Sequence, residues 1–140
     1  MICIAAGAKA LTLAATAFSL AWTHSVEKTR WEERWVVGPG GLTVVEGRVE
    51  GSGAGMEPPA DAVLQDGAYV YTPVLAPVPE LVLAASGATG AGWTLCPLAD
   101  ADSSGAGAVG KCLTLGEAAG APVRISACPG PGDTAQGMRR

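Results

Sequence analysis

Charge is scarce in this sequence. Asp, Glu, Lys and Arg make up 16% of its 140 residues, against roughly 25% in an average globular chain. Hydrophobic residues make up 49%, and that balance excludes an intrinsically disordered polyelectrolyte. Basic residues are the scarcer sign: nine Lys and Arg against thirteen Asp and Glu leave a net charge of −4. Binding to nucleic acid needs a basic surface to neutralise phosphates, and it is not expected here. Histidine occurs once, at His24, so a neutral-pH general base of ordinary pKa would have to be that residue. The four cysteines contain no C-x-x-C pair, so the spacing of a zinc ribbon or a thioredoxin-type site is missing. One histidine and scattered carboxylates make no coordination pattern. No metal and no cofactor is expected.

Long hydrophobic runs are missing too. The Ala-rich residues 1–22 invite a signal-peptide reading, yet no basic residue precedes the apolar stretch and Lys9 stands inside it. Lys9, Thr12, Thr16 and Ser19 interrupt the run of about 18 apolar residues that a membrane span needs. A transmembrane span is therefore not expected. No 3.6-residue pattern and no internal repeat is visible, which argues against long helices, solenoids and propellers. The 20 glycines and 10 prolines follow no fixed period, so collagen is excluded.

What is present is strand-like alternation between turn signals. Residues 1–6 and 10–14 read as two strands around a turn at Gly7-Ala8-Lys9. From Phe18 the alternation places Phe18, Leu20, Trp22, His24 and Val26 on one face, and 19–37 reads as one long strand or a kinked pair. Trp31, Glu33, Trp35 and Val37 share a parity. Gly38-Pro39-Gly40-Gly41 must turn, so 31–37 and 42–49 form an expected hairpin, with Leu42, Val44, Glu46 and Arg48 on one face. Further strands are expected at 68–72, 80–85, 93–96, 111–115 and 122–128. Residues 100–110 read as a mobile loop and 129–140 as a disordered tail. The expected fold is all-β: a single-domain antiparallel β-sandwich or partly open barrel over 1–128, long enough to bury a core unaided.

Cys96 and Cys112 flank one long turn, and Cys3 and Cys128 lie near the two ends of the predicted domain, where first and last strands of a sandwich commonly meet. These pairings are the favoured disulfides, and neighbouring positions with Cα atoms roughly 4.4–6.8 Å apart would meet the geometry. Four buried free thiols in a reducing compartment are the alternative.

Ionisable residues gather between residues 24 and 34: His24, Glu27, Lys28, Arg30, Glu32, Glu33 and Arg34. Such a run usually means a solvated strand face; its functional reading is the rim of a polar pocket. Ser25 follows His24 directly, and adjacent strand residues point to opposite faces, so a nucleophile–base pair is disfavoured. The loop 51–56 is not a phosphate-binding motif, because Met56 stands where a third glycine would be required. It is a wide loop or bulge, or a flexible segment whose backbone N–H groups approach an anionic ligand.

Two segments carry a resemblance. Trp22-Thr-His-Ser-Val-Glu-Lys-Thr-Arg-Trp-Glu-Glu-Arg-Trp35 and Gly51-Ser-Gly-Ala-Gly-Met-Glu-Pro-Pro59 resemble the bacterial domain-of-unknown-function 1850 family, over a span expected to run from about Cys3 to Cys128. The resemblance implies no catalytic role. It does imply an accessory role in transport, because genes of this family often lie beside TRAP transporters with TAXI-type solute receptors. It marks His24, Ser25, Glu27, Lys28, Glu32, Glu33, Gly53, Ala54, Gly55 and Met56 as candidate contact positions. Some members carry a signal ahead of the segment matching residues 1–14. Together with the cysteines this leans toward the cell envelope, whereas a true start at Met1, directly on a strand, points to the cytoplasm.

Two functions are expected to compete. One is a non-enzymatic β-domain that contacts a transporter subunit or solute receptor. The other is a module or enzyme for a small organic anion, with His24, Lys28 and Glu33 lining a pocket under the 51–56 loop.

Overall fold

The computed structural model describes residues 1–23, 29–50, 61–85, 92–99 and 110–128. Eleven strands occupy them: β1 (Ile2–Ala6), β2 (Lys9–Leu13), β3 (Ala17–Thr23), β4 (Arg30–Gly38), β5 (Gly41–Glu50), β6 (Val63–Gln65), β7 (Ala68–Tyr71), β8 (Glu80–Leu83), β9 (Trp93–Leu98), β10 (Leu113–Leu115) and β11 (Val123–Ala127). A four-stranded sheet has the order β2-β1-β11-β8, and a seven-stranded sheet the order β10-β9-β3-β4-β5-β7-β6. Every ladder is antiparallel. The fold is all-β and sandwich-like. Among the described residues no ladder joins the edges β2 and β10, so no barrel closes.

The turns follow from their residues. Pro39-Gly40 connects β4 to β5, and Gly41 sits at φ 114° against the Val78 carbonyl, where any Cβ would collide. Asp66-Gly67, both at positive φ, closes the β6–β7 hairpin as a two-residue turn that suits strand twist. The three-residue strand β6 that it creates was not expected.

Ile2, Ile4, Leu83, Val123 and Ile125 of the smaller sheet pack against Phe18, Leu20, Trp35, Leu42, Val44 and Leu95 of the larger. Phe18 and Trp35 stack across β3 and β4 at 6.5 Å, nearly parallel. Each fully buried side chain of this size contributes roughly 1.5–3 kcal/mol. The chain on either side of β8 is tied to the larger sheet: Leu42 and Val78 exchange backbone hydrogen bonds, and Trp93 Nε1 donates to the Ala84 carbonyl at 3.1 Å.

The strand pairing corrects one expected face. A bulge between Arg34 and Trp35 shifts the β4–β5 register: Arg34 opposes Glu46 while Trp35 opposes Val44. The extra residue, Val45, reverses parity. Leu42 and Val44 therefore share the inner face with Gly47 and Val49, and Glu46 and Arg48 turn outward. The expected stretch 19–37 resolves into two antiparallel neighbours, β3 and β4.

Both expected disulfides are present. Cys3 and Cys128 are bonded with Cα atoms 5.1 Å apart; Cys96 and Cys112 are bonded at 4.2 Å, just short of the expected window. Cys96 lies inside β9 rather than at its end, since that strand runs on to Leu98. No helix among the described residues is long and apolar enough to cross a membrane. The segments expected to be a mobile loop and a disordered tail lie outside the described residues, apart from Gly110.

Candidate functional site

The inner face of the seven-stranded sheet is a grid whose rows cross the strands. One row, where β3 stops and β4 starts, holds Trp93, Trp22, Trp31, Val49 and Tyr69; the next holds Leu95, Leu20, Glu33, Gly47 and Tyr71. Trp22 stacks on Trp31 at 6.2 Å and leans on Trp93 at 5.1 Å. Strand parity explains how a carboxylate enters this face. Trp31, Trp35 and Val37 all turn inward, and Glu33, which alternates with them, is carried along.

Glu33 is half-buried. Its Oε1 accepts a hydrogen bond from Trp35 Nε1 at 3.1 Å. Burial raises its pKa and this hydrogen bond lowers it; burial prevails, so the carboxyl titrates above its usual 4.5. Across the sheet, the Tyr71 ring extends over Gly47. A Cβ on Gly47 would stand 2.6 Å from Tyr71 Cζ and 2.9 Å from its Oη. Only glycine lets the ring lie there, and Gly47 stands between Tyr71 and Glu33 in the ladder. Burial, and then the negative charge of Glu33, raise the Tyr71 pKa.

Glu32 belongs to the opposite face. It opposes Arg48 and lies 3.6 Å from Arg30 Nη2. Arg34 and Glu46 pair at 2.9 Å on that same outer face. The half-exposed Arg30–Glu32 pair contributes about 0–1 kcal/mol. Glu32 and Glu33, adjacent in sequence and expected at one contact surface, are thus separated by the sheet. His24, Ser25, Glu27, Lys28, Gly53, Ala54, Gly55 and Met56 lie outside the described residues. Sequence reasoning missed Gly47 and Tyr71 as parts of a site. An isolated glycine inside a strand marks a close approach, and that signal was available at Gly47.

A hollow opens between the edges β2 and β10, on the other side of Trp93, which pairs with Leu115 in its wall. It measures about 490 Å³ and is lined by Ile4, Ala6, Leu11, Leu115 and Val123, with Thr114 and the exposed Lys9 beside them. Among the described residues no group of three or more His, Cys, Asp or Glu could hold a metal ion.

The family model described as domain of unknown function (DUF1850) matches residues 18–102, which is more than half of the chain. The chain belongs to the DUF1850 family. No curated protein and no solved structure matches it. The DUF1850 match is shorter than the span of about 3–128 expected from the two segments. It runs from Phe18 in β3 to beyond β9, and so includes Trp22, Trp31, Glu33, Gly47, Tyr71 and Trp93. Lys9, β1, β2, β10 and β11 fall outside it. The aromatic corner thus lies wholly within the DUF1850 match, whereas the Lys9 hollow does not.

Proposed function

We propose that this chain is a non-enzymatic binding domain that assists a TRAP-type solute transporter with a TAXI-type receptor, and that it binds through the corner around Glu33. The unit that does so is taken to be residues 1–128. The transport association rests on the family resemblance. The observation that carries the binding reading is the Trp22–Trp31–Glu33–Tyr71 corner: half-buried rings with one carboxyl among them, on the inner sheet face beside the packed core. Aromatic rings offer large, stiff contact area at low entropic cost, which is what a binding surface needs. The test is capture of the transporter's own subunits or receptor by the tagged full chain from membranes that contain them. Recovery that falls with Trp31→Ser supports the reading. Recovery of no transporter component overturns it.

A second reading, a small-ligand module, is favoured by the same carboxyl, but with the sign of the ligand revised. An organic anion would be repelled by Glu33 and by the negative faces of the indoles. For an anion the Lys9 hollow is the better place. A thermal-shift screen of organic acids and amines tests this, since a ligand at 100-fold its dissociation constant adds roughly 2.7 kcal/mol.

A further inference from the structure

We infer that the Glu33 corner selects an organic cation, an alkylammonium group carried on a small apolar body. This inference rests on the small-ligand reading and names the ligand's chemistry. Glu33 uses one oxygen internally, Oε1 toward Trp35 Nε1. Its Oε2 has no protein partner among the described residues and is not sealed from solvent. A half-buried carboxylate with a vacant acceptor is under-satisfied, and a charged N–H donor is its strongest complement. The surroundings repeat the preference. Trp31 and Trp35 flank Glu33 along β4, and the Tyr71 ring reaches toward it across Gly47. Ring faces attract cations within about 6 Å, indole most strongly, and the attraction grows where water is partly excluded.

Among the described residues no basic side chain competes for the position. Arg30, Arg34 and Arg48 have the outward parity, where Arg30 lies by Glu32 and Arg34 pairs with Glu46. The inward neighbours of Glu33 across the strands are Leu20 and Gly47, neither of which carries charge or a side-chain donor. The corner therefore presents a negative centre and an aromatic lining, with no counter-ion among the described residues.

The test uses three probes with one carbon chain and different heads: butylammonium, n-butanol and butyrate. Each is titrated into the full chain at ionic strength matched with sodium chloride, followed by calorimetry and by the fluorescence of the corner tryptophans. Saturable binding is expected in the order butylammonium, butanol, butyrate, with about tenfold between first and last. Glu33→Gln keeps the shape and an acceptor for Trp35 Nε1, and is expected to reduce butylammonium affinity about tenfold while leaving butanol unchanged. Trp31→Leu is expected to weaken butylammonium more than butanol, which keeps the inference testable if one variant fails to fold.

Equal binding of butanol, or unchanged butylammonium affinity in Glu33→Gln, overturns the inference. So does the absence of any saturable butylammonium signal. Saturable butyrate binding that Trp31→Leu weakens would overturn the cation while leaving the corner a ligand site. Failure of all three probes alongside successful transporter capture would remove the ligand reading and spare the transporter one.

Discussion

Around Phe18 and Trp35, the inner face of the seven-stranded sheet lies under Ile2, Ile4, Val123 and Ile125 of the other sheet. Around Glu33 and Trp31, two and four residues earlier on the same strand, Trp31, Glu33 and Tyr71 fall outside that packed cluster. Both regions are built from strands β3, β4 and β5, with large rings at matching parity. Among the described residues they differ in what stands opposite. A sheet face becomes core only where a second layer covers it. The same alternation that buries Trp35 therefore delivers a carboxyl and three half-buried indoles beside the core.

The largest expected effect lies on the covered side. Phe18→Ala should cost about 3–5 kcal/mol in denaturant unfolding, and Trp31→Ala less than half as much. Equal losses would erase the distinction between the two regions. Next comes the covering layer itself. The double variant Cys3→Ser with Cys128→Ser should cost about 2–5 kcal/mol, read by the shift of the unfolding midpoint. Binding at the Glu33 corner should persist under conditions where that variant stays folded. Gly47→Ala should cost about 1–3 kcal/mol, because Tyr71 must leave its place over the strand. Tyr71→Ala in the same chain should recover part of that loss, and a double-mutant cycle measures the coupling.

The smallest effect is a matter of pH. The folded pKa of Glu33 is raised above 4.5, so the folded state holds this proton more tightly than the unfolded chain. Ionised Glu33 is then a burden on stability that is absent below its unfolded pKa and develops as pH rises through the folded one. Unfolding curves of Glu33→Gln and the parent should nearly coincide near pH 4. At pH 7.5 the variant should be the more stable. A gap that instead widens toward acid would mean that the carboxylate is stabilised where it stands.

Much of this architecture was legible because it depends on local chemistry. Gly38–Gly41 and Asp66-Gly67 name their own turns, and the alternation from Trp31 to Val37 fixes a face. The cysteine pairing was legible as well, since it needed only that the first and last strands be neighbours. The bulge at Val45 was not. It appears where Val44 and Val45 are equally apolar, and only the partner strand decides which of them turns inward. For the same reason the candidate site was half-visible. Glu33 stood out as one of a run of charges, but its separation from Glu32 follows from sheet parity. Tyr71 joins it through a strand nearly forty residues downstream, and nothing local to either residue announces that approach.

The order of arrival of the strands has a consequence for how the molecule is made. In the four-stranded sheet β1 pairs with β11, and β8 pairs with β11 alone. During synthesis, β1 and β2 can form only a hairpin, and an isolated hairpin is marginal in water. β8 emerges some forty residues before the strand that will hold it. Until β11 appears, the Phe18–Trp35 face of the larger sheet lacks its cover, and the growing chain exposes apolar surface prone to association. Such distant pairing slows folding, because long loops must close before their contacts repay the lost entropy. A chain cut short before Val123 should therefore lose the whole smaller sheet at once, rather than one strand of it.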